Sequence, residues 1–176
     1  MLKNYIDALL ERVDVVGYML LAGGIFFLFM DKIFHTDNLK EENVTYPKAL
    51  KIGFFQIIAM IPGVSRSAAT IIGGLSQKLT KKTAAEFSFF LAVPTMFAAT
   101  VYSVFSFYQD GGSFESEHMT ALLIGNVVAF IVAMIAIKSF ISFLTRHGFA
   151  LFGYYRIVVG IIILVLYYLG VDLAMA

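Results

Sequence analysis

The chain has no cysteine and no tryptophan, and only 14% of its 176 residues are charged. Without cysteine there are no disulfides and no thiolate metal sites. Without tryptophan, any aromatic belt at a membrane surface must be built from tyrosine and phenylalanine. Soluble domains carry roughly a quarter charged residues, so the shortage of charge argues against an ordinary soluble fold. The formal net charge of +1 excludes the basic surface that a nucleic-acid partner requires. No secretory signal is recognisable, because the first apolar run follows Lys3, Asp7, Glu11, Arg12 and Asp14, the wrong flank for one.

What is present is apolar: 60% hydrophobic residues, with a mean hydropathy of +0.84. The expected class is an all-α polytopic membrane protein forming a single domain over residues 1–176. Leu2, Ile6, Leu9, Leu10 and Val13 share one helical face and suggest a short interfacial helix. Four spans are expected, over Val15–Met30, Ala84–Tyr108, Met119–Ile137 and Phe149–Leu169. Positive flanks set the topology. The loop 109–118 and the tail after Leu169 lack Lys and Arg and are expected outside. Lys78, Lys81, Lys82, Lys138 and Arg146 are expected inside, with Lys32 and Lys40 on the same side.

The segment Tyr46–Leu75 then has basic flanks at both ends. A single crossing would put one flank on the wrong side, whereas a re-entrant helical hairpin puts both on the inside. Pro62 and Gly63 supply the turn: the first cannot continue a helical hydrogen-bond ladder, and the second tolerates a reversal that a side chain would block. A second half-helix is expected from Ser65 or Arg66. Its start would offer unpaired N–H groups and a positive dipole end, which suit an anion. Arg66 adds a fork of donors matched to phosphate oxygens, and Ser65, Ser67 and Thr70 add hydroxyls. A guanidinium inside a bilayer is expensive and marks a functional site. The blander alternative pairs Arg66 with Glu86 and leaves the serines as helix caps. Arg156, in the first two turns of the last span, is expected to snorkel to the inner interface, with a role in the site as the alternative. His35, His118 and His147 fall in expected loops, and Gly23-Gly24 and Gly73-Gly74 suggest close helix packing.

The run from Gln56 to Gly74, QIIAMIPGVSRSAATIIGG, with Ala84–Pro94 and Tyr155-Arg156, resembles the second signature of the bacterial undecaprenyl-diphosphate phosphatases, the bacitracin-resistance family. The likeness covers most of the chain. It implies membrane helices with re-entrant hairpins, and removal of one phosphate from undecaprenyl diphosphate to recycle the carrier lipid of cell-wall synthesis. By that likeness Ser65 and Arg66 are the catalytic candidates. Ser65, Arg66, Ser67 and Thr70 bind phosphate, and Gln56 and Glu86 support them. The implied setting is the bacterial plasma membrane, and the implied partner is a polyprenyl diphosphate lipid.

Ala68 stands where the family often has glycine. The family's other signature, an EGLTEFLP…SSTGH-like hairpin, has no counterpart here. The chain therefore resembles the C-terminal portion of such a protein and is expected to be inactive alone, with a separate N-terminal half or a homodimer as possible complements. A divalent cation, Mg²⁺ or Ca²⁺, is compatible with the chemistry but not evident in these residues. Half of a transporter for a phosphate-bearing lipid is the alternative of a different class, and a remnant without chemistry is a third. The acid-phosphatase-like lipid phosphatases are excluded, since no histidine follows Arg66 until His118.

Overall fold

The computed structural model describes residues 12–35, 38–112 and 116–171, without the side chains of 116–118. The expected interfacial helix at the N-terminus lies outside them, apart from Val13, which opens the first helix. The chain forms α1 (Val13–Ile33), α2 (Tyr46–Ile58), α3 (Arg66–Ser76), α4 (Lys81–Gln109), α5 (Ser116–His147) and α6 (Ala150–Tyr168). Among the described residues β pairing is limited to one isolated bridge, Glu41 with Leu79. Four helices are long and apolar enough to cross a membrane: Val13–Ile33, Lys81–Gln109, Met119–His147 and Ala150–Tyr168. This is a multi-pass membrane protein.

Two helix boundaries differ from expectation. The basic stretch after Ile137 continues α5 to His147, and α5 already begins at Ser116. His118 and His147 are therefore helical rather than in loops. Lys138 and Arg146 do not break the helix because long basic side chains are good helix formers, and Arg146 and His147 suit its negative C-terminal end.

α1 and α6 pack antiparallel along a seam of glycines. A Cβ on Gly24 would lie 2.9 Å from the Gly153 carbonyl oxygen, and one on Gly160 would lie 3.1 Å from that of Gly17. Absent side chains let the backbones touch, and close backbone packing is a main source of helix association in lipid. At one end of the seam the Tyr18 and Tyr168 hydroxyls are 2.6 Å apart. At the other, Asp31 joins three elements. Its Oδ1 is 2.8 Å from Lys81 Nζ at the start of α4. Its Oδ2 accepts the Phe149 N–H at 3.0 Å. Gly148, with φ +71°, turns the chain there, and a Cβ on it would meet Asp31 Oδ2 at 2.5 Å.

The same end carries the core, in which Phe27, Met30, Ile52, Ile71, Leu75, Leu79, Leu144 and Phe149 gather. α2 and α3 fold back on each other as a hairpin. Gly73 sits against the Phe55 ring and Gly74 against Ala84 of α4, so this glycine pair packs helices as expected. The two ends of the hairpin meet, since the Thr80 N–H donates to the Glu41 carbonyl at 3.0 Å.

Candidate functional site

The hairpin turn is built by Pro62 and Gly63. Gly63 has φ +84°, and a Cβ there would stand 2.7 Å from the Val16 carbonyl oxygen of α1. Conformation and space both require glycine. Two residues on, Ser65 caps α3: its Oγ accepts the Ala68 N–H at 3.4 Å and lies 3.2 Å from Ser67 Oγ. Ser65 itself has φ +74° and ψ +121°. A non-glycine residue held there costs about 1–3 kcal/mol and persists only when its surroundings impose it.

Arg66 opens α3 as its first residue. Ser65, Arg66 and Ser67 are all exposed, and Arg66 makes no ion pair or side-chain hydrogen bond among the described residues. It lines a cleft of about 430 Å³ with Ser67 and Ser88. Phe89, Ala92, Val93 and Met96 of α4 and Ile137 of α5 form the rest of the wall. The cleft is thus polar at the helix start and apolar along α4 and α5. Glu86 lies 3.9 Å from Lys82, one turn away on the same helix, so the alternative pairing of Arg66 with Glu86 does not form. An exposed pair of that kind contributes little to stability.

Thr70 faces away from solvent and is 2% exposed. Its Oγ1 donates within α3, 3.0 Å from the Arg66 carbonyl and 3.2 Å from that of Ser67. Ser88 Oγ lies 2.6 Å away. With the threonine proton directed at a carbonyl, Ser88 is the donor of that pair. Thr70 thereby fixes Ser88, which lines the cleft. Gln56 is half-buried near the C-terminal end of α2.

Arg156 does not snorkel. It is 7% exposed, and one terminal nitrogen, Nη2, reaches the turn, 2.6 Å from the Gly63 carbonyl oxygen, 3.3 Å from that of Val64 and 3.5 Å from that of Met19. Its guanidinium carbon is 5.4 Å from the centre of the Phe27 ring, a favourable cation–π distance. Its Nε has no hydrogen-bond partner among the described residues. The space comes from Gly23, where a Cβ would lie 2.7 Å from Nη2. A second cavity, of about 160 Å³, is lined by Arg156, Tyr155, Ser65 and Ser67 among aromatic residues. Ser67 thus borders both cavities.

A family model for the bacitracin resistance protein BacA matches residues 1–162. The chain belongs to this family. It is 55% identical to an undecaprenyl-diphosphatase of Flavobacterium johnsoniae over 170 residues, which are 96% of this chain and 64% of the relative. It is 56% identical over 174 residues to one of Porphyromonas gingivalis, covering 98% and 61%, and 51% identical over 176 residues to one of Bdellovibrio bacteriovorus, covering 98% and 66%. The chain spans a little under two thirds of the length of these curated relatives.

Of the residues singled out in the sequence, the BacA-family fold brings Ser65, Arg66 and Ser67 together at one helix start. Thr70 stands behind them, and Glu86 is engaged elsewhere. Arg156 departs from the expected snorkelling and follows the alternative of a place beside the site. Its position within an apolar span was a usable signal, but its direction depends on Gly23 and on a turn far away in the chain. The histidines stay apart from the site as described: His35 sits in the turn after α1 with φ +48°, and His147 stacks on Phe143 at 4.4 Å. Among the described residues no three His, Asp or Glu side chains gather into a group able to hold a metal ion. The donors present therefore do not fit a protein-built Mg²⁺ or Ca²⁺ site.

Proposed function

We propose that the chain supplies the diphosphate-binding part of an undecaprenyl-diphosphate phosphatase. Such an enzyme cleaves undecaprenyl diphosphate to undecaprenyl phosphate and inorganic phosphate, returning the carrier lipid to cell-wall synthesis. The observation that carries this reading is Arg66: a cation without a protein partner among the described residues, at a capped helix start, lining a cleft whose far walls are apolar. Cleavage breaks the bond between the terminal phosphorus and the bridging oxygen, leaving charge on the departing phosphate ester. Arg66, the first N–H groups of α3 and the Ser65 and Ser67 hydroxyls meet that charge. Thr70 acts through Ser88. The prenyl chain follows the α4–α5 wall past Phe89, Val93 and Met96.

In this reading the hairpin is re-entrant. α2 and α3 have 13 and 11 residues, about 20 and 17 Å at helical rise, against a hydrocarbon core of about 30 Å. Its two ends meet on one side. The exposed turn backbone is tolerable at that depth because it is seated on α1 rather than on lipid.

Ser65 becomes an attacking group only beside a base. Its described contacts are Ser67 and the Ala68 N–H, so the attacking group and base come from the part of the family fold that this chain does not span. The chain alone binds and does not turn over.

The absence of tryptophan provides the test. A Met96→Trp variant in micelles has a single tryptophan, on the cleft wall, which can be excited apart from the tyrosines. Farnesyl diphosphate should shift its emission to the blue, inorganic diphosphate should compete, and Arg66→Ala should weaken binding roughly 30–150-fold, the worth of one or two charge-assisted hydrogen bonds. In a full-length relative the same arginine change should abolish most phosphate release. Unchanged binding and release would remove Arg66 from the site. The broken hairpin also suits a transporter. Translocation of the lipid without phosphate release by a full-length relative would favour that reading.

A further inference from the structure

We infer that Arg156 is a positioning residue: it grips the hairpin turn from behind and so sets the backbone from which Ser65, Arg66 and Ser67 project. The turn needs such a grip. Among the described residues no backbone N–H donates to the carbonyls of Gly63 or Val64, and orphan carbonyls are poorly tolerated away from water. Arg156 Nη2 satisfies both, and its shortest bond, 2.6 Å, goes to Gly63 rather than to the neighbouring helix, where Met19 is at 3.5 Å. A strut between α1 and α6 would show the opposite order.

The carbonyl of Val64 lies in the peptide that leads into Ser65, the residue held at φ +74°. A backbone conformation that a side chain disfavours must be imposed from outside. Here it is imposed from two sides. α1 blocks the turn at Val16 and Met19, within 3.0 Å of where a Gly63 Cβ would be. The guanidinium, emerging from α6, draws the carbonyls toward itself. Gly23 completes the device by leaving the hollow that the guanidinium occupies. Nε stays unpartnered, so the side chain is placed for its contact with the turn and not for its own full satisfaction. Residues from both ends of the chain therefore decide where the phosphate-facing hydroxyls and Arg66 point.

The test compares the unaltered chain in micelles with Arg156→Gln, Arg156→Lys and Gly23→Ala. Hydrogen–deuterium exchange is followed by peptide, and affinity is measured for farnesyl diphosphate. The affinity arm rests on the diphosphate reading above; the exchange arm does not. Arg156→Gln should speed exchange at least tenfold in peptides covering 61–69, with α1 and α6 unchanged, and weaken farnesyl diphosphate about tenfold although Arg66 is intact. Arg156→Lys keeps a donor within reach of Gly63 and should recover most of both. Gly23→Ala keeps the charge but displaces the flexible tip of Arg156, and should reproduce about a threefold part of each effect.

Unchanged exchange at 61–69, or exchange raised equally along α1 and α6, overturns the inference. So does faster local exchange with undiminished affinity. If the unaltered chain fails to bind farnesyl diphosphate, the diphosphate reading falls, and the exchange pattern alone decides for or against the grip.

Discussion

The α1–α6 pair and the α4–α5 pair are both made of long apolar helices, yet they are built in opposite ways. In the most apolar stretch of α1, 22% of residues are buried; in that of α5, none is. α1 and α6 meet backbone to backbone through Gly17, Gly24, Gly153 and Gly160. α4 and α5 turn Phe90, Phe97, Phe105, Phe130 and Ile135 outward, and Gly125 of α5 has nothing within 4 Å of where a Cβ would be. The lesson is that apolarity places helices in a membrane without pairing them, because lipid is as good a neighbour as another leucine. Pairing requires small residues in register. The paired helices seat the turn and cage Arg156. The thinly packed α4 and α5, which touch through Phe89 and Phe140, form the open wall that the cleft leads onto.

Glycine substitutions should break this contrast most sharply. Gly24→Val should lower stability in micelles by at least about 3 kcal/mol, since its side chain would meet the Gly153 carbonyl and the Ile157 backbone. A thermal melt within a degree or two of the unaltered chain would show the seam to be loose. Next comes the tie between the two regions. Asp31→Ala leaves the Phe149 N–H and Lys81 without this acceptor and should cost about 1–3 kcal/mol, with faster exchange at 146–150 and 78–83. If exchange changes in α1 alone, Asp31 is not a joint. Ser88→Ala should cost about 1 kcal/mol or slightly more, because Thr70 loses a buried partner, and should weaken farnesyl diphosphate severalfold. An unchanged affinity would separate Thr70 from the site.

The smallest expected change carries the opposite sign. Gly125→Ala on α5 should be neutral or stabilise by up to about 1 kcal/mol through helix propensity. Clear destabilisation would mean that α5 is packed against something in micelles. Outside the membrane, Glu41 is held below the usual carboxylate range, first by the Asn43 N–H and then by Lys48. A depressed carboxyl stabilises the fold above its unfolded value and loses that contribution as pH falls through the lower, folded one. Exchange in the loop 41–48 should therefore rise only when the pH falls below the ordinary carboxylate range, and Glu41→Gln should remove the dependence.

Much of this was legible in the residues. The break at Pro62-Gly63, the helix start at Ser65-Arg66 and the four spans follow from local chemistry: missing donors, permissive backbone, and the lengths of apolar runs. That the two ends of the hairpin meet, Glu41 against Thr80, agrees with the like charges of its flanks. The fate of Arg156 did not follow from local chemistry, because snorkelling and burial differ only by whether a hollow exists, and Gly23 lies on a helix far away in sequence. The pairing of Thr70 with Ser88 was hidden for the same reason. Spacing along α3 puts Thr70 and Ser67 on one face, but which neighbour occupies that face is decided by how α4 packs. The glycine seam shows the same limit: one glycine pair suggests close contact, whereas its partner glycines are known only once α1 and α6 are aligned.

The bond between Thr80 and Glu41 has a consequence for how such a chain is put together. Because the strip of chain that makes the hairpin begins and ends at the same spot, it behaves as a cassette: a polypeptide without it would pass from α1 to α4 with no gap to bridge. Its Ile52, Ile71 and Leu75 then fill the core of the frame it is set into.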